Sequence, residues 1–194
     1  MTIHRIHHDN NYLVFEIPTT EVINKLGREH PFHIKRAPLP YASVWLEPLT
    51  INFRAAGKSS KETIPDIAAR NGRLFLNTKA HKALRNILAN HGELLPIRFD
   101  HQEGYIFNPL RTSEEVSGLN RTMVTYDTNG NLTHLSFIES RVKSFPIFRT
   151  ELDTYQGIFC TDEFKAAVEK ERLQGISFYS DLVNPLGMPF GTSH

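Results

Sequence analysis

The chain has 194 residues, 40% of them hydrophobic and 10% aromatic, with 13 Phe beside a single Trp; that composition supports a packed core and argues against a disordered chain. Lys and Arg number 22 against 21 Asp and Glu, a formal net charge of +1, whereas a nucleic-acid binder carries a basic surplus or stripe. One cysteine, Cys160, excludes an internal disulfide framework and any multi-cysteine zinc site. The opening MTIHRIHHDNN has no apolar signal-peptide core, and no apolar run approaches membrane-span length, so a cytoplasmic protein with no membrane partner is expected.

In chain order, residues 12–17 (YLVFEI) read as a strand closed by Pro18, and Thr19 or Thr20 offers an N-cap to a short helix over 21–26 that Gly27 stops. Residues 28–42 hold three prolines and are expected to be irregular; 43–54 read as β structure interrupted at Pro48. Small polar residues over 55–62 make the best linker. These boundaries divide the chain into an N-terminal β-containing lobe (1–59), a main domain (60–188) and a flexible tail (189–194).

The pattern then sharpens. Leu74-Phe75-Leu76 is a short strand leading to Thr78 as N-cap, and Ala80, Ala83, Leu84, Ile87 and Leu88 fall on one helical stripe with Gly92 as its stop. Residues 94–99 and 105–107 read as paired strands, Pro96 implying an edge or a bulge. Residues 123–126 and 132–138 flank Asn129-Gly130, the positive-φ pair of a tight hairpin turn. Residues 145–148 form another edge segment with Pro146. Residues 157–160 lead into Thr161 and a helix over 162–172 whose apolar face is Phe164, Ala167 and Val168; 176–179 return as a strand. Thr78, Lys82 and Ala83 echo Thr161, Lys165 and Ala166 at a constant offset (161 − 78 = 83). Sparse helices that do not alternate with the strands point to an α+β fold, with two principal helices packed on a mainly antiparallel sheet.

Gly104-Tyr105-Ile106-Phe107-Asn108-Pro109-Leu110-Arg111 poses the functional question. Tyr105 and Phe107 share a strand face, Asn108 before Pro109 suits an Asx-turn, and Thr112 with Glu115 makes a capping box. Arg111 and Glu114 are left without a structural role, and an Arg on a strand-end loop suits carboxylate or phosphate recognition. Together with Tyr126, the Asn129-Gly130 turn and Trp45, they form the candidate partner-binding set, Arg and Tyr being common interface anchors. Cys160, leaving a strand before a helix N-terminus, suits a nucleophilic thiolate with a histidine base; a buried, inert thiol is the alternative. His4, His7 and His8, and the pair His30 and His33, lack the helical spacing and the Glu of a zinc motif. No Gly-rich phosphate loop and no nucleophile elbow occurs, so no cofactor, metal or catalytic residue is expected.

Several segments taken in order resemble a bacterial polymorphic-toxin immunity family, the eleventh in the immunity-protein classification and earlier catalogued as a domain of unknown function. They are Thr63-Ile64-Pro65-Asp66-Ile67, the helix after Leu76, Gly92-Glu93-Leu94-Leu95-Pro96, Tyr105-Ile106-Phe107-Asn108, and Ile158-Phe159-Cys160-Thr161-Asp162-Glu163-Phe164-Lys165 continued through Leu173-Gln174-Gly175-Ile176-Ser177-Phe178. The last is the most specific, and the resemblance spans roughly residues 60–185. It implies a small cytosolic protein without enzymatic activity that binds and neutralises a cognate toxin protein, with no catalytic residues to carry over. It also implies that Asn108 and Thr161 serve the fold. The competing reading from the residues is a small cysteine-dependent hydrolase or transferase. Edge strands with prolines argue against open sheet pairing, and a homodimer stays compatible with them.

Overall fold

The structure, a computed structural model, describes residues 1–57 and 62–183. In chain order the elements are β1 (Ile3–His8), β2 (Leu13–Glu16), α1 (Thr19–Leu26), β3 (Leu49–Thr50), β4 (Asn52–Ala55), β5 (Ile67–Arg70), β6 (Arg73–Asn77), α2 (Thr78–Leu88), β7 (Gly92–Phe99) and β8 (Gln102–Pro109). There follow β9 (Thr125–Tyr126), β10 (Leu132–His134), α3 (Glu139–Val142), β11 (Ile147–Phe148), β12 (Ile158–Thr161), α4 (Asp162–Lys170) and β13 (Ile176–Tyr179). The fold is α+β. A five-stranded sheet runs β3-β7-β8-β6-β5 and a four-stranded sheet β11-β12-β1-β13, all pairings antiparallel except β3 with β7.

The helices α2 and α4 touch each other and fill one core with residues from both sheets: Ala80, Leu84 and Leu88 from α2, Phe164 and Val168 from α4, Leu74, Leu76 and Phe107 from the larger sheet, Ile6, Ile158 and Cys160 from the smaller. Strand alternation sends the intervening residues the opposite way. Phe75, Ile106, Leu95 and Ile97 meet Phe15, Val22, Phe32, Tyr41 and Trp45 in a second core, and Phe148 and Phe159 meet Leu135, Phe137 and Val142 in a third.

Two units repeat within this arrangement. The order β5-β6-β8-β7 with α2 between β6 and β7 matches β11-β12-β1-β13 with α4 between β12 and β13. In each, a strand, a helix and a second strand flank a central antiparallel strand. Burial aligns them at an offset of 84: the N-cap positions Asn77 and Thr161 (161 − 77 = 84), the buried pairs Ala80 with Phe164 and Leu84 with Val168, and Leu74, Phe75 and Leu76 with Ile158, Phe159 and Cys160. The sequence echo at 83 is therefore one residue out of structural step. The central strand of the second unit, β1, comes from the far end of the chain.

β1 takes His4, His7 and His8 into a sheet. β1 lies between β12 and β13, with Ile3 in the third core and Ile6 in the first, so both its faces are buried. Within residues 1–57, β1 joins the second unit, β3 joins β7, and Phe15, Val22, Phe32, Tyr41 and Trp45 cover the larger sheet. Residues 43–48 are turns and bends rather than strand, and β structure resumes only at β3. The linker candidate includes 58–61 and the tail 189–194; both lie outside the described residues.

Local chemistry explains other departures. The α1 N-cap is Pro18, with no side-chain cap, and Thr19 is already helical. Asn77 rather than Thr78 caps α2, its side chain accepting from Ala80 N at 2.9 Å. Gly92 begins β7 and does not close a helix. A Cβ there would sit 2.3 Å from Asn108 O and 2.8 Å from the Phe107 ring, so close strand approach is what requires glycine. Pro96 is tolerated because β3 pairs with β7 only at Ile97 and Arg98, leaving Pro96 beside no donor-seeking neighbour on that edge.

Candidate functional site

The end of β8 is held by buried polar chemistry. Asn108 makes no Asx-turn; its Nδ2 donates to Leu39 O at 2.9 Å and to Glu93 Oε2 at 3.1 Å. Glu93 also accepts from Tyr41 N and Ala42 N, so the pair pins the residue 39–42 segment across the β7–β8 hairpin. Two fully buried arginines fasten the preceding stretch: Arg73 donates to Lys35 O at 2.7 Å and lies 3.8 Å over Phe32, while Arg149 donates to Arg36 O at 2.6 Å and to Pro109 O. Burial first, and then the charge of Arg149, pulls Arg73 down to about 9; burial pulls Arg149 down to about 10. Sequence reasoning missed both. Their only local signal is an arginine beside strand residues buried on both faces.

Arg111 and Glu114, left without a role by the sequence, each have internal partners. Arg111 Nη1 donates to Glu115 Oε2 at 3.1 Å and its Nε to Asn90 O at 3.3 Å, with the guanidinium 5.8 Å from Phe145. Glu114 Oε1 accepts from Thr150 Oγ1 at 2.6 Å and from Glu151 N at 3.1 Å, tying this loop to the segment after β11. Glu115 Oε1 reaches back to Thr112 N at 2.8 Å, as a capping box requires. Arg111 stays exposed, and Glu114 is half-buried.

Tyr126 and Asn129 lie on a different element, the β9–β10 hairpin. Asp127 Oδ1 accepts from the N–H groups of Asn129 and Asn131, each at 2.8 Å, and Gly130 takes φ 78°. Hydrogen bonds from Asn131 and Asn129 hold the Asp127 carboxyl below the ordinary carboxylate range. The loop is thus organised by its own side chains while Tyr126 (54%) and Met123 (51%) stay exposed. Trp45 is interior, 7% exposed, with its indole N–H donating to Pro96 O at 2.8 Å and its ring 4.9 Å from Phe32; the next residue, Leu46, is 88% exposed.

Burial decides between the two readings of Cys160, in favour of the inert thiol. Cys160 is fully buried in the central core, in register with Ile147 and His4, and burial pushes its thiol well above the ordinary value. Desolvation there, joined by the charge of Asp162, outweighs the opposing pull of Lys165. His4 Nε2 pairs with Asp162 Oδ1 at 2.9 Å, not with the thiol. The three N-terminal histidines do not converge on a metal, since strand alternation sends His4 and His8 to one face of β1 and His7 to the other. Among the described residues no group of three or more His, Cys, Asp or Glu could hold a metal ion.

A family comparison bears on the second unit. Residues 111–181 match the Imm11 immunity protein family. This is the family resembled by the segments above, and the Imm11 match runs from the Arg111 loop through the β9–β10 hairpin, β11, β12 and α4 to β13. The five-stranded sheet and β1 fall outside it. No curated protein matches the chain.

Proposed function

We propose that this chain is an immunity protein that binds a cognate bacterial toxin domain in the cytoplasm and neutralises it by binding, without catalysis of its own. The Imm11 match over residues 111–181 is the observation that carries this reading. A protein partner also suits a net charge of +1 and the lack, among the described residues, of any helix long and apolar enough to cross a membrane.

The toxin surface proposed here centres on the β9–β10 hairpin, where Tyr126 and Asn129 are exposed on a self-organised loop within the matched stretch, with exposed Arg111 as a second contact. Rigid, exposed aromatic side chains bind at low entropic cost. Glu114 supports the Arg111 loop through Thr150 and Glu151, and Trp45 acts only from the interior. Co-expression tests the function: toxin domains encoded beside the gene are produced in a bacterial host with and without this chain. Restored growth and a co-purifying complex support immunity; persistent toxicity with this chain present overturns it.

A further inference from the structure

A cavity of about 360 Å³ opens where the two units meet, between β1, the turn joining β5 to β6, and residues 156–158. Arg5, Arg70, His7, His8, Asn71 and Gln156 are among the residues that line it; among the described residues no Asp or Glu does. A chain of net charge +1 therefore gathers two permanent positive charges on one cavity without a lining carboxylate. The cavity exists because β12 pairs with β1 only from Ile3 to Ile6, so His7 and His8 extend past the strand that would otherwise cover them.

The groups are held in place. Arg5, 7% exposed, donates to Leu182 O at 2.7 Å and lies 5.5 Å over Phe159. Its ion-pair partner Asp153, 3.5 Å away, lines a separate cavity on which Arg5 also borders. Arg70 donates to Phe15 O at 3.1 Å, which leaves further guanidinium N–H groups for a ligand. His7 is 9% exposed, its ring edge-on to Tyr179 at 5.2 Å, and its Nε2 is buried with no hydrogen-bond partner.

We propose that this cavity binds a phosphate dianion, free or as a monoester, through Arg5 and Arg70, with the His7 side chain beside them. Guanidinium forks match the geometry of phosphate oxygens, and a dianion adds negative charge beside two arginines, of which Arg5 is already paired with Asp153. The volume falls in the range of small-ligand sites, leaving room for an organic substituent. Burial, then Arg5, holds the His7 imidazole at about 4, against the opposing pull of Asp181, so it is neutral at physiological pH and can donate one proton. A bound dianion raises that titration point. This proposal does not depend on the immunity reading.

The test is calorimetry on the full chain with inorganic phosphate and with a nucleoside monophosphate, acetate serving as control at matched ionic strength, together with the His7 titration followed by NMR. Expected are saturable binding of phosphate over acetate, an upward shift of the His7 midpoint, and about a tenfold or greater loss of affinity in Arg70→Gln. His7→Gln, which keeps the β1 pairing intact, supplies the same comparison if Arg70→Gln does not fold. Equal affinity for both phosphates assigns the free ion; tighter monoester binding assigns an organic phosphate; either supports the site. Equal responses to phosphate and acetate, an unmoved His7 midpoint, or unchanged affinity in the folded variant overturns it.

Discussion

The α2 unit and the α4 unit share strand order and core positions yet start their helices differently. Asn77 caps α2 through Ala80 N and donates to Asp66 Oδ1 at 2.9 Å, while Lys79 adds an ion pair to the same carboxylate at 2.9 Å. Thr161, at the equivalent position, makes no capping bond, and its Oγ1 is buried without a partner. There Asp162 is tied instead to His4 and to Thr2 N at 2.7 Å, bonds that bring β1 onto the unit. The first unit is fastened by neighbours in sequence and the second by the opposite end of the chain. Their outer faces differ too: the N-terminal segment covers Phe75, whereas residues from the Imm11-matching stretch cover Phe159. Equivalence in a fold is thus carried by which residues are buried and not by local identity, because a one-residue slip sends every strand side chain to the wrong face.

The largest expected effect tests that equivalence directly. Phe75→Ala and Phe159→Ala, both fully buried in aromatic clusters, should each lose about 3–5 kcal/mol in denaturant unfolding. A loss confined to one of them breaks the pairing.

Next comes the acid response of the first unit. Burial alone would raise the Asp66 pKa, but hydrogen bonds from Lys79, Asn77 and Gln174 N outweigh it and hold the carboxyl below its ordinary 3.8. A depressed folded value means that the stabilisation is fully present above the unfolded pKa and is lost as pH falls through the folded one. Asp66→Asn should therefore cost about 1–2 kcal/mol at neutral pH. Thermal melts should show the gap to the parent closing as pH drops below the carboxylate range. A gap that widens on acidification contradicts the assignment.

The caps give a smaller contrast. Asn77→Ala should cost about 1 kcal/mol, whereas Thr161→Val should stay within about 0.5 kcal/mol of the parent or stabilise it, since it removes an unpartnered hydroxyl. Equal losses would mean that the two helix starts work alike. Smallest of all is Cys160 in the native chain: iodoacetamide should modify it no faster than the chain unfolds, and rapid native alkylation would restore the nucleophile reading.

The sequence made α2, its stripe, the β7–β8 pairing and the 127–131 loop legible because their signals are local. β1 was hidden because a central strand buried on both faces shows no alternation, and its polar residues find partners some 150 or more positions away: His4 with Asp162 and Arg5 with Leu182. Asn108 misled for the same reason, since its Nδ2 donates to Glu93 and Leu39, distant in sequence. At the candidate surface, residue type identified Tyr126 and Asn129 as available groups, but not that Arg111 and Glu114 would be tied down or that Trp45 would turn inward and leave Leu46 outside.

The central claim, neutralisation by binding, is tested most directly by titrating a purified cognate toxin domain with this chain while recording toxin activity and complex mass. Activity should fall to its floor at stoichiometric addition, with a stable complex that Tyr126→Ala weakens and Leu46→Ala leaves intact. Loss of toxin activity at far less than stoichiometric amounts would make the chain a catalyst, and undiminished activity at excess would refute the immunity role.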